Sequence, residues 1–265
     1  MNSPKPLKLL LTNDDGYHAP GIQALAAGLA SQGHSVWVLA PAQNQSGVSC
    51  ALSIQKDLRL VKQSDTHYTL GGTPADCVHV ALTGLAQVGN FDAVISGIND
   101  GANLGDDAIH SGTLGAATQA HLYGLPALAS SLVDRGWAGL DAAVQITEQA
   151  LYGLLAQTTP SLWNLNVPNH ARVPAKEGAP FYQFTSVGRR TPSYPVIEKN
   201  EPIVGGEEGL RVFRLGSGGD TLPLAGNDMA LVAQGYASIS PITLDRTDYA
   251  ALLTLQGAHT VKRAP

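Results

Sequence analysis

The sequence predicts an α/β protein. The expected architecture is a doubly wound, mostly parallel, Rossmann-like sheet flanked by helices, with a C-terminal β-hairpin or arm segment used for oligomerisation. Apolar runs of strand length recur over residues 9–11, 36–40, 91–97, 126–133 and 162–167, with helical periodicity between several of them. Short loops rich in Gly, Pro, Asn and Ser separate these elements. The alternation stops at about residue 170, where Pro and Gly multiply and helical period is lost. One domain is expected over 1–265, with a core of about 7–170 and an extension of about 171–265.

Taken in order, Leu9-Leu10-Leu11 is the first strand. Pro20 opens a helix whose apolar face is Ile22, Leu25, Ala26 and Leu29, and Gly33 ends it. Residues 36–40 form a second strand stopped by Pro41, which completes a right-handed βαβ unit. Alternating polarity over 52–70 predicts a hairpin. Thr73, Pro74 and Asp76 are the N-cap, first position and first turn of a helix, and capping accounts for all three without a ligand. A strand over 91–97 is followed by a helix that begins near Ser111-Gly112-Thr113 and runs to Gly124. Next come a strand over 126–133, a helix over 140–155 and a strand over 162–167 closed by Pro168. Residues 191–219 read as hairpins or extended arms, 237–242 as the last strand, and 247–255 as a short helix.

Composition bounds the function. Charged residues make up 14% of the 265, below the usual quarter, so a partner subunit is expected to cover part of the surface. A net charge of −5 without clustered Lys or Arg argues against a nucleic-acid polymer as partner. Cys50 and Cys77 sit in apolar company and predict reduced thiols of a cytoplasmic protein. The opening residues 1–6 lack a signal-peptide apolar region, and no apolar run approaches the ~20 residues of a membrane span. A soluble protein without membrane contact is expected.

The chemistry gathers at strand ends. Asp14 and Asp15 follow the first strand directly, with Gly16 to turn the chain. Two adjacent carboxylates repel, and one takes up a proton unless a cation lies between them. On these residues alone two readings stand: a hard-cation site, or a solvated acidic turn before a helix. Ser46, in the uncharged loop after the second strand, is an oxygen ligand or an ordinary turn residue. Asn99 and Asn103 lie in a third polar loop, and Ser111-Gly112-Thr113 then offers backbone N–H groups and hydroxyls as a phosphate seat. Asp14, Asp15, Ser46, Asn99 and Asn103 reach one sheet edge from distant positions, which favours a Mg²⁺-, Mn²⁺- or Ca²⁺-type site; no His–Cys zinc pattern is present.

Five stretches together resemble the SurE (survival protein E) family, in family order and over about residues 8–133. They are Leu10 to Gly21 around Asn13-Asp14-Asp15-Gly16, Pro41 to Gly47, Gly72 to Val78, Ser96 to Asp107, and Ser111-Gly112-Thr113. Gly235 to Pro241 is similar to the family's C-terminal strand. The resemblance implies a divalent-metal-dependent phosphatase of nucleoside 5′- and 3′-monophosphates, some members also trimming polyphosphate. It implies a cytoplasmic homodimer or homotetramer that exchanges C-terminal segments. It places one cation per subunit, Mg²⁺ or Mn²⁺ with Ca²⁺ able to occupy the site, on Asp14, Asp15, Ser46 and Asn99. It places phosphate near Asn103, Ser111, Gly112 and Thr113.

The chain departs from that pattern at Asp100, which adds charge beside the metal, at Gln119 and Ala120 in the helix, and at Asn227 before Asp228. None is expected to touch the ligands. The expected mechanism is metal-assisted hydrolysis, with Asp14 or Asp15 orienting water and His18 or His110 protonating the leaving oxygen. Two rivals fit less well. A receiver-type phosphoacceptor needs an Asp at a middle strand end and a Lys at a later one, but Ser96-Gly97 ends the middle strand and no Lys follows residues 126–133. A nucleotide-binding transferase wants a Gly-rich first turn, and here that turn is acidic.

Overall fold

A computed structural model of the chain describes residues 5–85, 89–172, 180–191, 195–199, 211–215, 219–222 and 224–255. The first half winds β1 (Lys8–Thr12), α1 (Pro20–Ser31), β2 (Ser35–Pro41), β3 (Leu60–Lys62), β4 (His67–Leu70), α2 (Pro74–Thr83) and β5 (Ala93–Asp100). It continues through α3 (Gly112–Leu122), β6 (Ala127–Leu132), α4 (Leu140–Leu155) and β7 (Leu162–Val167). Beyond residue 170 come β8 (Tyr182–Phe184), β9 (Ile197–Lys199), β10 (Val212–Arg214), α5 (Asp228–Ala233), β11 (Ala237–Ile242) and α6 (Tyr249–Leu255).

Nine strands share one sheet in the order β3-β4-β2-β1-β5-β6-β7-β11-β8. The pairs from β4 through β7 are parallel, while β3 runs against β4 and β11 against β7. Successive residues of β1 face opposite layers. Leu9 and Leu11 enter a core with α1 and α4, and Leu10 enters another with α2 and α3. Each fully buried Leu contributes roughly 1.5–3 kcal/mol, so the two layers fix the register of β1 against β2 and β5.

Local signals held where packing and capping agree. Thr73 and Asp76 close a reciprocal capping box at the start of α2, and Asp76 also accepts from Ser53 N. That helix start is thus occupied by its own carboxylate. The hairpin expected over 52–70 is shorter: β3 and β4 pair only between Leu60 and Leu70, and residues 52–59 turn and run irregularly. Of the arm expected over 191–219, β9 and β10 form an antiparallel pair, while 192–194, 200–210 and 216–218 lie outside the described residues. β8, α5 and a 3₁₀ turn over Gly105–His110 have no counterpart among the elements the sequence predicts. β8 and α5 have three and six residues, too few for a period to show.

The sheet winds from β1 to β2 on one side and has β5 on the other, so its direction of winding reverses between β1 and β5. Ligands of open α/β sheets bind outside the C-terminal strand ends at such a reversal. Among the described residues no helix is long and apolar enough to cross a membrane.

Candidate active site

A cleft of about 460 Å³ opens at that reversal. Asp14, Asp15, Ser46, Asn99, Asn103, His110 and Ser111 all line it, so four separate chain segments converge there. Gly16, with φ +97, turns the chain directly after the two carboxylates, as only glycine does without strain. Its carbonyl is pinned from within the loop: Asn13 Nδ2 donates to Gly16 O at 2.8 Å. His18 is apart from the other candidates. It is exposed, lies edge-on to the Tyr17 ring, and does not line the cleft.

Asp14 is only 4% exposed. Burial is the largest influence on its carboxyl and pushes the pKa up to about 6; Thr113 pulls it back and the charge of Asp15 adds to the rise. Thr113 Oγ1 donates to Asp14 Oδ1 at 2.6 Å, and the Thr113 N–H also favours the carboxylate. Asp15 is raised too, first by burial and then by Asp100, against the Asp100 N–H and the positive charge of Arg135. Its Oδ2 accepts from Asp100 N at 2.9 Å and its Oδ1 from Asn44 Nδ2 at 3.3 Å. Two carboxyls held near each other against their charged forms make a site that a cation between them would stabilise.

The start of α3 serves Asp14 before any ligand. Ser111 is the N-cap and accepts from Leu114 N at 3.0 Å, while its own N–H bonds Ala108 O. Thr113 is committed to Asp14, so Gly112 N–H and the Ser111 hydroxyl proton are the donors left at this end among the described residues. Gly112 must be glycine. A Cβ there would sit 2.9 Å from Asp14 Cβ and 3.0 Å from Asp14 Oδ2. Gly112→Ala is expected to cost ~1–3 kcal/mol of stability by overpacking. Catalysis should fall about 10²-fold, the scale of an ångström-size misplacement, a loss checked by urea melts beside initial rates.

Asn103 is placed differently from the sequence expectation of a phosphate donor. Its Nδ2 donates to Ser131 Oγ at 2.8 Å and to Thr113 Oγ1 at 3.3 Å, so both amide hydrogens are engaged inside the protein. Its backbone is held by Asn166 and Asn164 of β7. Asn103 therefore braces Thr113, which in turn braces Asp14. Asn99 donates to Gly101 O at 2.8 Å, which leaves its side-chain oxygen as the cleft-facing acceptor. Asp106 and Asp107 are engaged with Arg189 and Arg190.

The departures resolve separately. Asp100 does touch a candidate ligand, through its N–H to Asp15, and its own Oδ1 accepts from Gly136 N at 2.7 Å. Gln119 is buried against His79 of α2, away from the cleft. Asn227 caps α5 through Ala230 N at 2.8 Å, a position where Asn is favoured. Two cleft residues carried no signal in the sequence: Asn44, which props Asp15 and Ser46, and the exposed Arg135. Arg135 follows β6 at the same strand edge as the carboxylates, and that position was the available clue.

Fold and cleft together define a doubly wound α/β protein with an acidic, oxygen-lined site at the reversal of its sheet. The family profile described as Survival protein SurE matches residues 9–193. The chain is 40% identical over 257 residues to "5′-nucleotidase SurE" of Laribacter hongkongensis (strain HLHK9), covering 94% of this chain and 98% of that one. Its fold is similar to that of the SurE protein from Aquifex aeolicus in a crystal structure, with a TM-score of 0.76 at 31% identity over 94% of this chain and 99% of that chain. The chain belongs to the survival protein SurE family.

Proposed function

We propose that this chain is a divalent-metal-dependent phosphomonoesterase that hydrolyses nucleoside 5′- and 3′-monophosphates to nucleoside and phosphate. The supporting observation is that Asp14 and Asp15 share one cleft with the free donors at the start of α3. The name of the 40% identical relative, 5′-nucleotidase SurE, supports the 5′-monophosphate part of this reading.

The residues fit a hard cation. Among the described residues no three His, Cys, Asp or Glu side chains form a metal cluster. The candidate set is instead mixed, with two carboxylates, the Ser46 hydroxyl and the Asn99 amide oxygen. All four donors are oxygens, the preference of Mg²⁺ and Mn²⁺. When bound, such a cation supplies Lewis acidity, acidifying water at neutral pH and neutralising phosphoryl charge. Gly112 N–H and Ser111 Oγ–H then take phosphoryl oxygens as charge builds on them. The Arg135 guanidinium adds positive charge from another wall of the cleft. His110 protonates the leaving ribose oxygen. Assembly as a homodimer or homotetramer in the cytoplasm belongs to the same reading, with the exposed Phe184 and Phe213 available as apolar contact surface.

The test is phosphate release from AMP with Mn²⁺, Mg²⁺ or EDTA. Release that needs metal supports the reading, and a folded protein that releases none under any metal overturns it. Binding carries its own pH signature. Protons compete with the cation for Asp14, so Mn²⁺ affinity should fall about tenfold per pH unit below about 6. Calorimetric titrations between pH 5 and 8 check this; a flat profile would remove Asp14 from the ligand set.

A further inference from the structure

Asp100 ends β5 beside Asn99, and its carboxylate lines a cleft in which added negative charge opposes an anionic ester. Its contact with Asp15 does not require that carboxylate. Asp15 Oδ2 accepts from the Asp100 N–H, a donor that every residue except proline supplies. The side chain serves the next strand end instead: Asp100 Oδ1 accepts from Gly136 N at 2.7 Å.

Gly136 lies in the loop after β6, and Arg135 in that loop is held from both sides. On the other side Asp134 N donates to Asn169 Oδ1 at 3.0 Å, and Asp134 O accepts from Asn169 Nδ2 at 3.0 Å. Asn169 itself is buried, and Trp137 packs against the core beneath α1 and α4. The Arg135 side chain lies over Gly101, where a Cβ would meet Arg135 Nε at 3.6 Å. Asn99 Nδ2 donates to Gly101 O, so the guanidinium stands over the turn that presents the Asn99 oxygen. Arg189 and Arg190 are engaged by Asp106 and Asp107. Arg135 makes neither a salt bridge nor a side-chain hydrogen bond among the described residues. A pinned backbone carrying an unspent guanidinium is arranged for a ligand, because less ordering remains to oppose binding.

We infer that Arg135 is a phosphate-binding residue of this cleft and that Asp100 is the positioning residue that aims it. The inference rests on the phosphomonoesterase reading above and adds which side chain meets the phosphoryl oxygens from the β5 and β6 side. The guanidinium fork matches phosphate oxygens and supplies charge-assisted hydrogen bonds. Gly112 N–H and the Ser111 hydroxyl reach the same group from α3.

Charge and placement predict opposite signs, which makes Asp100 informative. Removing its negative charge should tighten phosphate by Coulomb attraction alone. Losing the tie to Gly136 should loosen it. The experiment titrates inorganic phosphate by calorimetry with Mg²⁺ present, and measures KM and kcat for AMP alongside. Asp100→Ala is expected to weaken phosphate and raise KM at least about tenfold, the scale of a charge-assisted hydrogen bond, with a smaller change in kcat. Asp100→Asn drops the charge but keeps an oxygen for Gly136 N, and should bind phosphate at least as tightly as wild type. Arg135→Ala, a truncation of an exposed side chain, should lose as much as Asp100→Ala. Adding Asp100→Ala to Arg135→Ala should cost nothing more, because the two act as one unit. Tighter phosphate binding in Asp100→Ala would overturn the inference, as would equal losses in Asp100→Ala and Asp100→Asn. An additive double variant, or a wild type that binds no phosphate, would overturn it too. If AMP is not hydrolysed but phosphate binding follows the expected order, the reaction class fails and the assignment of Arg135 and Asp100 stands.

Discussion

Asp14→Asn is expected to remove phosphate release by on the order of 10³-fold while leaving the metal-free protein more stable at pH 8 than wild type. The two effects have one cause. Burial pushes the Asp14 carboxyl up to about 6, from an ordinary value of 3.8. A carboxyl raised in the folded state contributes stability that is fully present below about pH 4 and is lost as pH climbs through about 6. At 1.36 kcal/mol per unit, the loss by pH 8 is ~3 kcal/mol in metal-free protein. Asn has the same shape, keeps an oxygen to accept from Thr113 Oγ1, and carries no charge to desolvate. It also fits beside Gly112, which tolerates nothing larger. Thermal melts in EDTA at pH 5 and pH 8 check the sign: wild type should lose stability over that interval and Asp14→Asn should lose less. Equal slopes would mean that Asp14 titrates normally, and the electrostatic case for a cation there would fall.

That separation of stability from activity marks what a sequence can and cannot show. The strands β1, β2, β5, β6 and β7 were legible because each is a buried apolar run whose length and period need no knowledge of its neighbours. The start of α2 was legible because a capping box closes within four residues. Convergence of Asp14, Asp15, Ser46 and Asn99 followed from chain direction, since parallel strands put their C-terminal ends on one edge. The roles of Thr113 and Asn103 were not legible. Ser-Gly-Thr at a helix start reads as an anion seat in any sequence, and only packing shows Thr113 turned onto Asp14, with Asn103 locked behind it. Arg135 was invisible for the opposite reason. A single exposed Arg after a strand has no pattern, and its meaning comes from the carboxylates it faces across about a hundred residues of chain.

Asp228 is the largest effect expected away from the cleft. It lies two residues past Gly226 in a segment without helical or strand period, yet its carboxyl is 0% exposed and accepts three backbone N–H groups. Gly105 N donates at 2.9 Å, Gly188 N at 2.8 Å and Met229 N at 2.8 Å. One side chain thereby ties α5 to the 3₁₀ turn that leads into Ser111 and to the segment carrying Arg189 and Arg190. Asp228→Ala strands all three donors in a buried setting, at ~3–5 kcal/mol once partial relaxation is allowed. Asp228→Asn keeps one acceptor oxygen and should cost less, because its amide hydrogens oppose only part of the donor set. Urea denaturation gives the order wild type, Asn, Ala, and hydrogen exchange at Gly105 and Gly188 should accelerate in the same order. In Asp228→Ala the activity that survives should show raised KM before lowered kcat, since the Ile109–Ser111 edge loosens while Asp14 and Thr113 stay in place. An Asp228→Ala protein within 1 kcal/mol of wild type would show that α5 is held by Met229 and Val232 packing alone, and that the carboxyl clamps nothing.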